Sequence, residues 1–287
     1  MKKVILKDYM TIQSKMTGTD TRIVDSGLSA PLARGVLYEK IDDGYGNEIL
    51  KKVGENTVVL GGSVTSLEHL CGTAANWKPK TLNEIYEVNA DKCDPASIQD
   101  TTICLFGVGI GGSGMDFTSV NQKDTKLRDV PTLIPLRRTD DISGTDEDKY
   151  YFKKETDTVG IYDYFLKEFD APIEIKALWK DSLDEDVDGT EIVEDISTSE
   201  RTENQESYAA FQISFNTSDV REYFEQIGEI DLARYNSLGL FLGRKVELDD
   251  GTFDYVDVRL FCYLNFHNKS VSNKTVSKYE YRVYTMV

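Results

Sequence analysis

Between Val256 and His267 the chain alternates. Val256, Val258, Leu260, Cys262, Leu264 and Phe266 take every second position, and Asp257, Arg259, Phe261, Tyr263, Asn265 and His267 fill the gaps. Successive side chains of a strand point to opposite sides. A period of two therefore predicts a strand with one apolar face on a core and one mixed face. Leu238, Leu240 and Leu242 repeat the pattern before it. Tyr279, Tyr281, Val283 and Thr285 repeat it afterwards, with Lys278, Glu280 and Arg282 opposite. The segment from Tyr235 to Val287 thus reads as three antiparallel strands. Asp249-Asp250-Gly251 joins the first two, because glycine accepts the positive backbone angle of a tight hairpin.

Upstream, the pattern is shorter-ranged. Residues 1–35 are polar and broken by Gly18 and Gly27, with no steady period, and read as an extended N-terminal arm that orders on a partner. Residues 36–287 form one β-rich domain, opening with a hairpin over 36–50. Asn56–Leu60 reads as a strand, Gly61-Gly62 as a turn, and Val64–Cys71 as a short amphipathic helix ending at Gly72. Leu82, Ile85, Tyr86 and Val88 suggest another helical turn. Thr101–Val108 is a buried strand. Asp116–Arg138 is extended, with Pro131 and Pro135 keeping it out of a central ladder. Thr139–Asp148 is an acidic connector, and Tyr150–Lys154 a strand. Val159–Phe169 has helical spacing, with Ile161, Tyr164, Phe165 and Phe169 on one side. Ile173, Ile175, Ala177 and Trp179 alternate as a strand after Pro172. Residues 183–206 form an acidic surface insertion. Tyr208–Phe215 alternates again. Thr217-Ser218-Asp219 offers a cap to a helix carrying Val220, Tyr223, Phe224 and Ile227, stopped by Gly228. The expected class is α+β, mainly antiparallel β and sandwich-like, with a few short helices.

Composition narrows the function. In 287 residues the net charge is −17, which argues against nucleic acid or an anionic membrane as partner, since phosphate binding needs clustered Lys and Arg. Sixteen Tyr and twelve Phe favour strands and broad contact surfaces. Cys71, Cys93, Cys104 and Cys262 are widely spaced and read as buried free thiols in a reducing compartment. Met1-Lys2-Lys3 is followed by too short an apolar run for a secretory signal, so the Asn216, Asn268 and Asn273 glycosylation patterns read as chance.

Motifs that carry chemistry lack their context. Gly107-Val108-Gly109-Ile110-Gly111-Gly112 spells G-x-G-x-x-G, yet no apolar helix follows it and no βαβ alternation surrounds it. It reads as a flexible turn of closely approaching backbones. Asp184, Asp186, Asp188 and Gly189 begin like a calcium loop. Its twelfth position is Asp195 and not Glu, and its eighth is the charged Glu191, so a solvated acidic loop is the better reading. His69 and His267 lie in no nucleophile signature, and His69 reads as a surface or packing residue. Arg137-Arg138 suits a bidentate grip on a neighbour's carboxylates as well as an ordinary surface pair. No catalytic, cofactor-binding or metal residues are assigned.

Three blocks recur in order: Glu55–Gly62 with its short helix; Ile103-Cys104-Leu105-Phe106-Gly107-Val108-Gly109; and Tyr235-Asn236-Ser237-Leu238-Gly239-Leu240-Phe241, followed by the strand around Phe261 and a closing strand. Over roughly residues 55–287 this outline resembles virion structural proteins of tailed bacteriophages, of the neck, tail and baseplate. The resemblance implies a non-enzymatic component, with capsid decoration as a variant. Such a component is assembled in the host cytoplasm and packed by β-rich surfaces against other virion proteins in a symmetric homo-oligomer. It would have no cofactor and no active site. The expected contacts with neighbours are the arm and the 109–138 loop. The alternatives are a carbohydrate- or receptor-binding module of a phage tail and a hydrolase of unrecognised type.

Overall fold

The computed structural model describes residues 33–42, 44–55, 57–58, 60–76, 80–94, 100–110, 133–134, 136–137, 150–155, 162–180, 190–192, 204–249, 251, 253–271 and 275–285. They form two antiparallel sheets packed face to face. Sheet A runs β2 (Glu48–Glu55), β1 (Ala33–Asp42), β13 (Val276–Thr285), β10 (Asn204–Asn216), β8 (Glu174–Lys180), β9 (Thr190–Glu191). Sheet B runs β3 (Thr57–Val58), β12 (Phe253–Ser270), β11 (Arg234–Glu247), β4 (Thr102–Gly109), β7 (Tyr162–Glu168), β5 (Leu136–Arg137), with β6 (Tyr150–Glu155) also on β7. Helix α1 (Leu60–Cys71) and the single turn α2 (Leu82–Tyr86) follow β3, and α3 (Thr217–Gln226) follows β10. The expected class, mainly antiparallel and sandwich-like with short helices, is what the chain adopts.

The core lies between the sheets. Sheet A contributes Leu37, Phe211, Ile213, Phe215, Tyr279 and Tyr281, while sheet B contributes Phe106, Val108, Leu238, Leu240, Cys262, Leu264 and Phe266. These are the period-two apolar positions of their strands, interdigitating as the inner faces of a sandwich do. Tyrosines cross the gap carrying their hydroxyls with them. Tyr235 Oη lies 2.6 Å from Tyr279 Oη and 3.1 Å from Ser277 Oγ, which satisfies groups that would otherwise be costly to bury. Val220 and Phe224 of α3 close the same core.

The three C-terminal strands all form, but in two sheets. β11 and β12 are the expected hairpin, with Gly251 at φ +80°. β13 leaves them and pairs with β1 and β10 in sheet A. Alternation records which way side chains face; it carries nothing about which strand lies next door. β12 also departs from strict alternation. Register shifts against β11 fall near Phe261 and Asp257, and Asp257 sits at φ +57°. Its expected mixed face is covered, since Asp257, Arg259, Phe261, Tyr263 and Asn265 are all buried.

Other local expectations need correction. Tyr162–Glu168, inside the span expected to be helical, is a strand. A short aromatic run fits either period, and pairing with β4 and β6 decides the matter. Gly61 and Gly62 lie inside α1 and not in a turn before it. A Cβ on Gly62 would meet the Phe261 carbonyl oxygen at 2.2 Å, so glycine is what lets the helix lie on the bulged strand. Of the expected Asn56–Leu60 strand, Thr57–Val58 form β3 and Leu60 opens α1, while Asn56 and Val59 lie outside the described residues. Ala33–Gly35, assigned to the arm, are paired with β13, and the arm's other residues lie outside the described ones. Cys71, expected to be buried, is exposed. α3 begins after Asn216 with no side-chain cap, because the Thr217 hydroxyl donates instead to the Thr275 carbonyl at 2.9 Å. Of the acidic insertion, Thr190–Glu191 pair with β8 and Asn204–Glu206 already belong to β10.

Candidate functional site

Sheet A has an outward face of its own, and its composition follows from the same alternation. With 37, 211 and 281 turned inward, residues 38, 40, 208, 210, 212, 280, 282 and 284 turn outward. At one end this face is aromatic and buried, with Val36, Tyr38, Leu178, Tyr208, Ala210 and Tyr284 forming an apolar cluster of its own. Arg282 lies across the ladder from Val36 and Ala210, and its guanidinium sits 4.7 Å from the ring centroids of both Tyr38 and Tyr208. Stacking on two tyrosine faces is a use of the planar guanidinium that lysine could not match. Tyr208 and Tyr284 pack ring to ring at 5.1 Å.

Moving along the strands, the face becomes charged. Arg282 Nε donates to Glu280 at 2.7 Å, Gln212 donates to Glu280 at 3.0 Å, and Lys40 donates to Glu48 at 3.1 Å. Burial alone would raise the Glu280 carboxyl. The hydrogen bonds from Gln212 and Arg282 and the charge of Lys40 outweigh it and hold the group below the usual carboxylate range. Beyond Gln212 the face dips into a hollow of about 470 Å³ lined by Lys40, Glu48, Lys167, Asp170, Gln212, Ser214 and Lys278 among others. Lys167 arrives from β7 of the other sheet, donates to the Ser214 carbonyl at 3.0 Å, and pairs with Asp170 at 3.3 Å. Asp170 in turn accepts from the Ser214 hydroxyl. This hollow offers ammonium donors, an amide and two carboxylates already held in ion pairs. It suits recognition of a polar group by hydrogen bonds.

Sheet B holds its polar groups differently. Asp257, buried in the bulge of β12, accepts from Arg244 Nη2 at 3.1 Å and from the Asp94 backbone N–H at 3.1 Å. Asn83 of α2 donates to the Tyr255 carbonyl and accepts from the Val258 N–H, both at 3.0 Å. The capping box of Thr81 and Glu84 starts that helix. These bonds pin the 81–94 segment over the sheet and leave the carboxylate of Asp257 closed off.

One acid stands apart. Asp219, in the first turn of α3, is buried, and its Oδ2 has no hydrogen-bond partner among the described residues. Burial, with Glu222 adding and Lys167 opposing, pushes its carboxyl up to about 7. The sequence marked it only as part of a helix cap, and not as a buried acid. A buried acid at the third position of a helix looks like any first-turn acid until packing is known.

The sequence motifs scatter. Gly107 and Gly109 lie within strand β4 and not in a flexible turn, and Gly111 and Gly112 are outside the described residues. A Cβ on Gly107 would meet Leu133 and Leu166 at 2.9 Å each, so this glycine makes room for side chains packed on the sheet. Asp184, Asp186, Asp188 and Arg138 lie outside the described residues, and Arg137 is in β5. His69 Nε2 is 3.3 Å from Thr101 Oγ1 and His267 is exposed, at distant places in the chain. Of the 109–138 loop, Ile134 is held inside, its N–H donating to the Val108 carbonyl at 2.8 Å. Among the described residues no group of three His, Cys, Asp or Glu is placed to hold a metal ion, and no helix is long and apolar enough to cross a membrane. Comparison with known proteins finds no matching family model, no similar curated protein and no similar solved structure.

Proposed function

We propose that this chain is a non-enzymatic building block of a larger particle, of the class found in the neck, tail or baseplate of tailed bacteriophages. In this reading it joins copies of itself and other virion proteins through β-rich surfaces. The observation that carries the reading is the β1–β2 hairpin. Among the described residues β2 is the outermost strand of sheet A, and its leading half is exposed. Along the hairpin Ile49 is 51% exposed, Ile41 opposite it is 39% exposed, and Tyr45 at the tip is 91% exposed. An eight-residue edge with apolar side chains is a template for another strand. Its charges, Lys51, Lys52, Glu48 and Glu55, restrict which strand can add.

The test is association of the full chain. Sedimentation of the wild type should show concentration-dependent oligomers, and Ile49→Lys with Leu50→Lys should shift them to monomer while leaving the circular dichroism unchanged. Mass spectrometry of purified virions from the source should find the chain at a fixed copy number. A wild type that stays monomeric, and is missing from particles, would overturn the reading. The polar hollow favours the second reading, a carbohydrate- or receptor-binding module. A glycan array probed with the isolated protein separates the two.

A further inference from the structure

The far end of α3 is acidic and apolar together. Ile227, Ile230 and Leu232 are exposed at 49%, 37% and 48%, and Glu225, Glu229 and Asp231 between them are exposed as well. From Glu222 to Leu232 there are four acids and no Lys or Arg. The last turn of α3 carries no basic residue. The last carbonyls of α3 are paired, Tyr223, Phe224 and Glu225 accepting from Ile227, Glu229 and Gly228, but the helix dipole still puts negative charge at this end, and the acids reinforce the same sign. Arg234 offsets part of this charge, its guanidinium 5.5 Å from the Phe224 ring and donating to the Leu232 carbonyl at 2.9 Å, and an incoming cation relieves the rest.

The chain holds a segment of matching chemistry. Lys2-Lys3-Val4-Ile5-Leu6-Lys7 brackets an apolar triplet with lysines, and Met1–Lys15 carries four Lys and one Asp in a chain whose net charge is −17. These residues lie outside the described ones. Topology bears on whose patch they reach. β1 starts at Ala33, opposite Thr285, whereas α3 starts at the other end of the same ladder, where Asn216 faces Val276. Ten residues of β13 separate those ends, about 33 Å at strand rise. The 17 residues 16–32 can span that distance, about 56 Å when extended, in either the same copy or a neighbour, and the assembly reading favours the neighbour.

We propose that Met1–Lys15 of one copy docks on the Glu225–Leu232 patch of the next, with Val4-Ile5-Leu6 against the isoleucines and the lysines against the acids. This rests on the assembly reading and names one of its contacts.

A charge swap in the full-length chain tests it. Glu225→Lys, Glu229→Lys and Asp231→Lys together should weaken self-association about tenfold, the scale of a few partly exposed ion pairs. Lys2→Glu, Lys3→Glu and Lys7→Glu together should do the same, and the two sets combined should restore it. Raising salt should weaken the wild-type contact. Association unchanged by either set, or a combined variant weaker than both, overturns the docking and leaves assembly through the hairpin standing. A wild type with no association at any concentration removes both.

Discussion

The two sheets have parallel construction and differ in how far their outer faces are covered. Sheet B is covered on both sides. Behind its core face, Leu82, Leu105, Leu133, Leu166, Phe241, Tyr255 and Val258 form a second apolar cluster, and α2 is pinned over it through Asn83. Sheet A carries aromatic and charged side chains outward, dips into a polar hollow and ends in the exposed β2. A sheet buried on both faces cannot change without disturbing packing. Sheet A is buried at its Val36, Tyr208 and Tyr284 end and exposes polar groups around the hollow and the leading half of β2. Under the assembly reading, contact falls to the exposed part of sheet A and stability to the covered positions, and substitutions should divide accordingly.

The heaviest effect belongs to sheet B. Gly62→Ala gains ~1 kcal/mol of helix propensity. Its Cβ, however, meets a backbone carbonyl at 2.2 Å, and moving α1 off β12 should cost roughly 3–5 kcal/mol. Urea unfolding reads the net loss, and a variant as stable as wild type would break the comparison on its strongest side.

Next comes Asp219. Its folded-state carboxyl is raised to about 7 from an ordinary 3.8. The folded protein therefore holds this proton more tightly than the unfolded chain. The group's contribution is fully present below about 4 and is lost as pH rises toward and past 7. Asp219→Asn should flatten that slope and stabilise the protein at pH 8 by as much as ~4 kcal/mol. Denaturation midpoints at pH 5 and pH 8 give the result. Equal effects at both would deny the raised carboxyl.

On sheet A the expected losses are smaller. Arg282→Met removes a guanidinium stacked between Tyr38 and Tyr208 and bonded to Glu280, at a cost of about 1–2 kcal/mol. Glu280 is held below its ordinary value in the wild type. Its stabilising contribution is present above that ordinary value and fades as pH falls through the lowered one. The variant should move its titration upward in carbon-detected NMR. An unmoved Glu280 would mean that Gln212 and Lys40 suffice. Least affected is the hairpin. Ile49→Lys with Leu50→Lys should change thermal stability by under ~0.5 kcal/mol while abolishing association. A large stability loss there would make β2 part of the scaffold and erase the distinction.

Much of the fold was legible because alternation is a local, physical consequence of extended backbone. β10, β11, β12 and β13 are visible as runs of one-in, one-out side chains, and α1 and α3 as stripes ending at Gly72 and Gly228. The seven residues of β7 were misread because an aromatic run that short fits both periods, and only its neighbours choose between them. The glycine pair of α1 and the glycine of β4 looked like punctuation. The cause for Gly62 is a carbonyl, and for Gly107 two leucines, all distant in sequence. The candidate site was the least legible part. The residues of the hollow come from strands β1, β2, β7, β10 and β13 and from the connection after β7, and no linear spacing joins them.

Sequence by itself determined that this chain builds antiparallel strands with aromatic inner faces, and that its surface is acidic. Side-chain direction and net charge depend on a residue and its near neighbours, so both survive reading one letter at a time. Tertiary structure decided that the last strand abandons its hairpin for the opposite sheet, that the outer face of sheet A is buried at one end and polar at the other, and that an acid at the start of α3 is sealed from water. Those outcomes depend on which distant segments meet, and burial is a property of the whole assembly of elements.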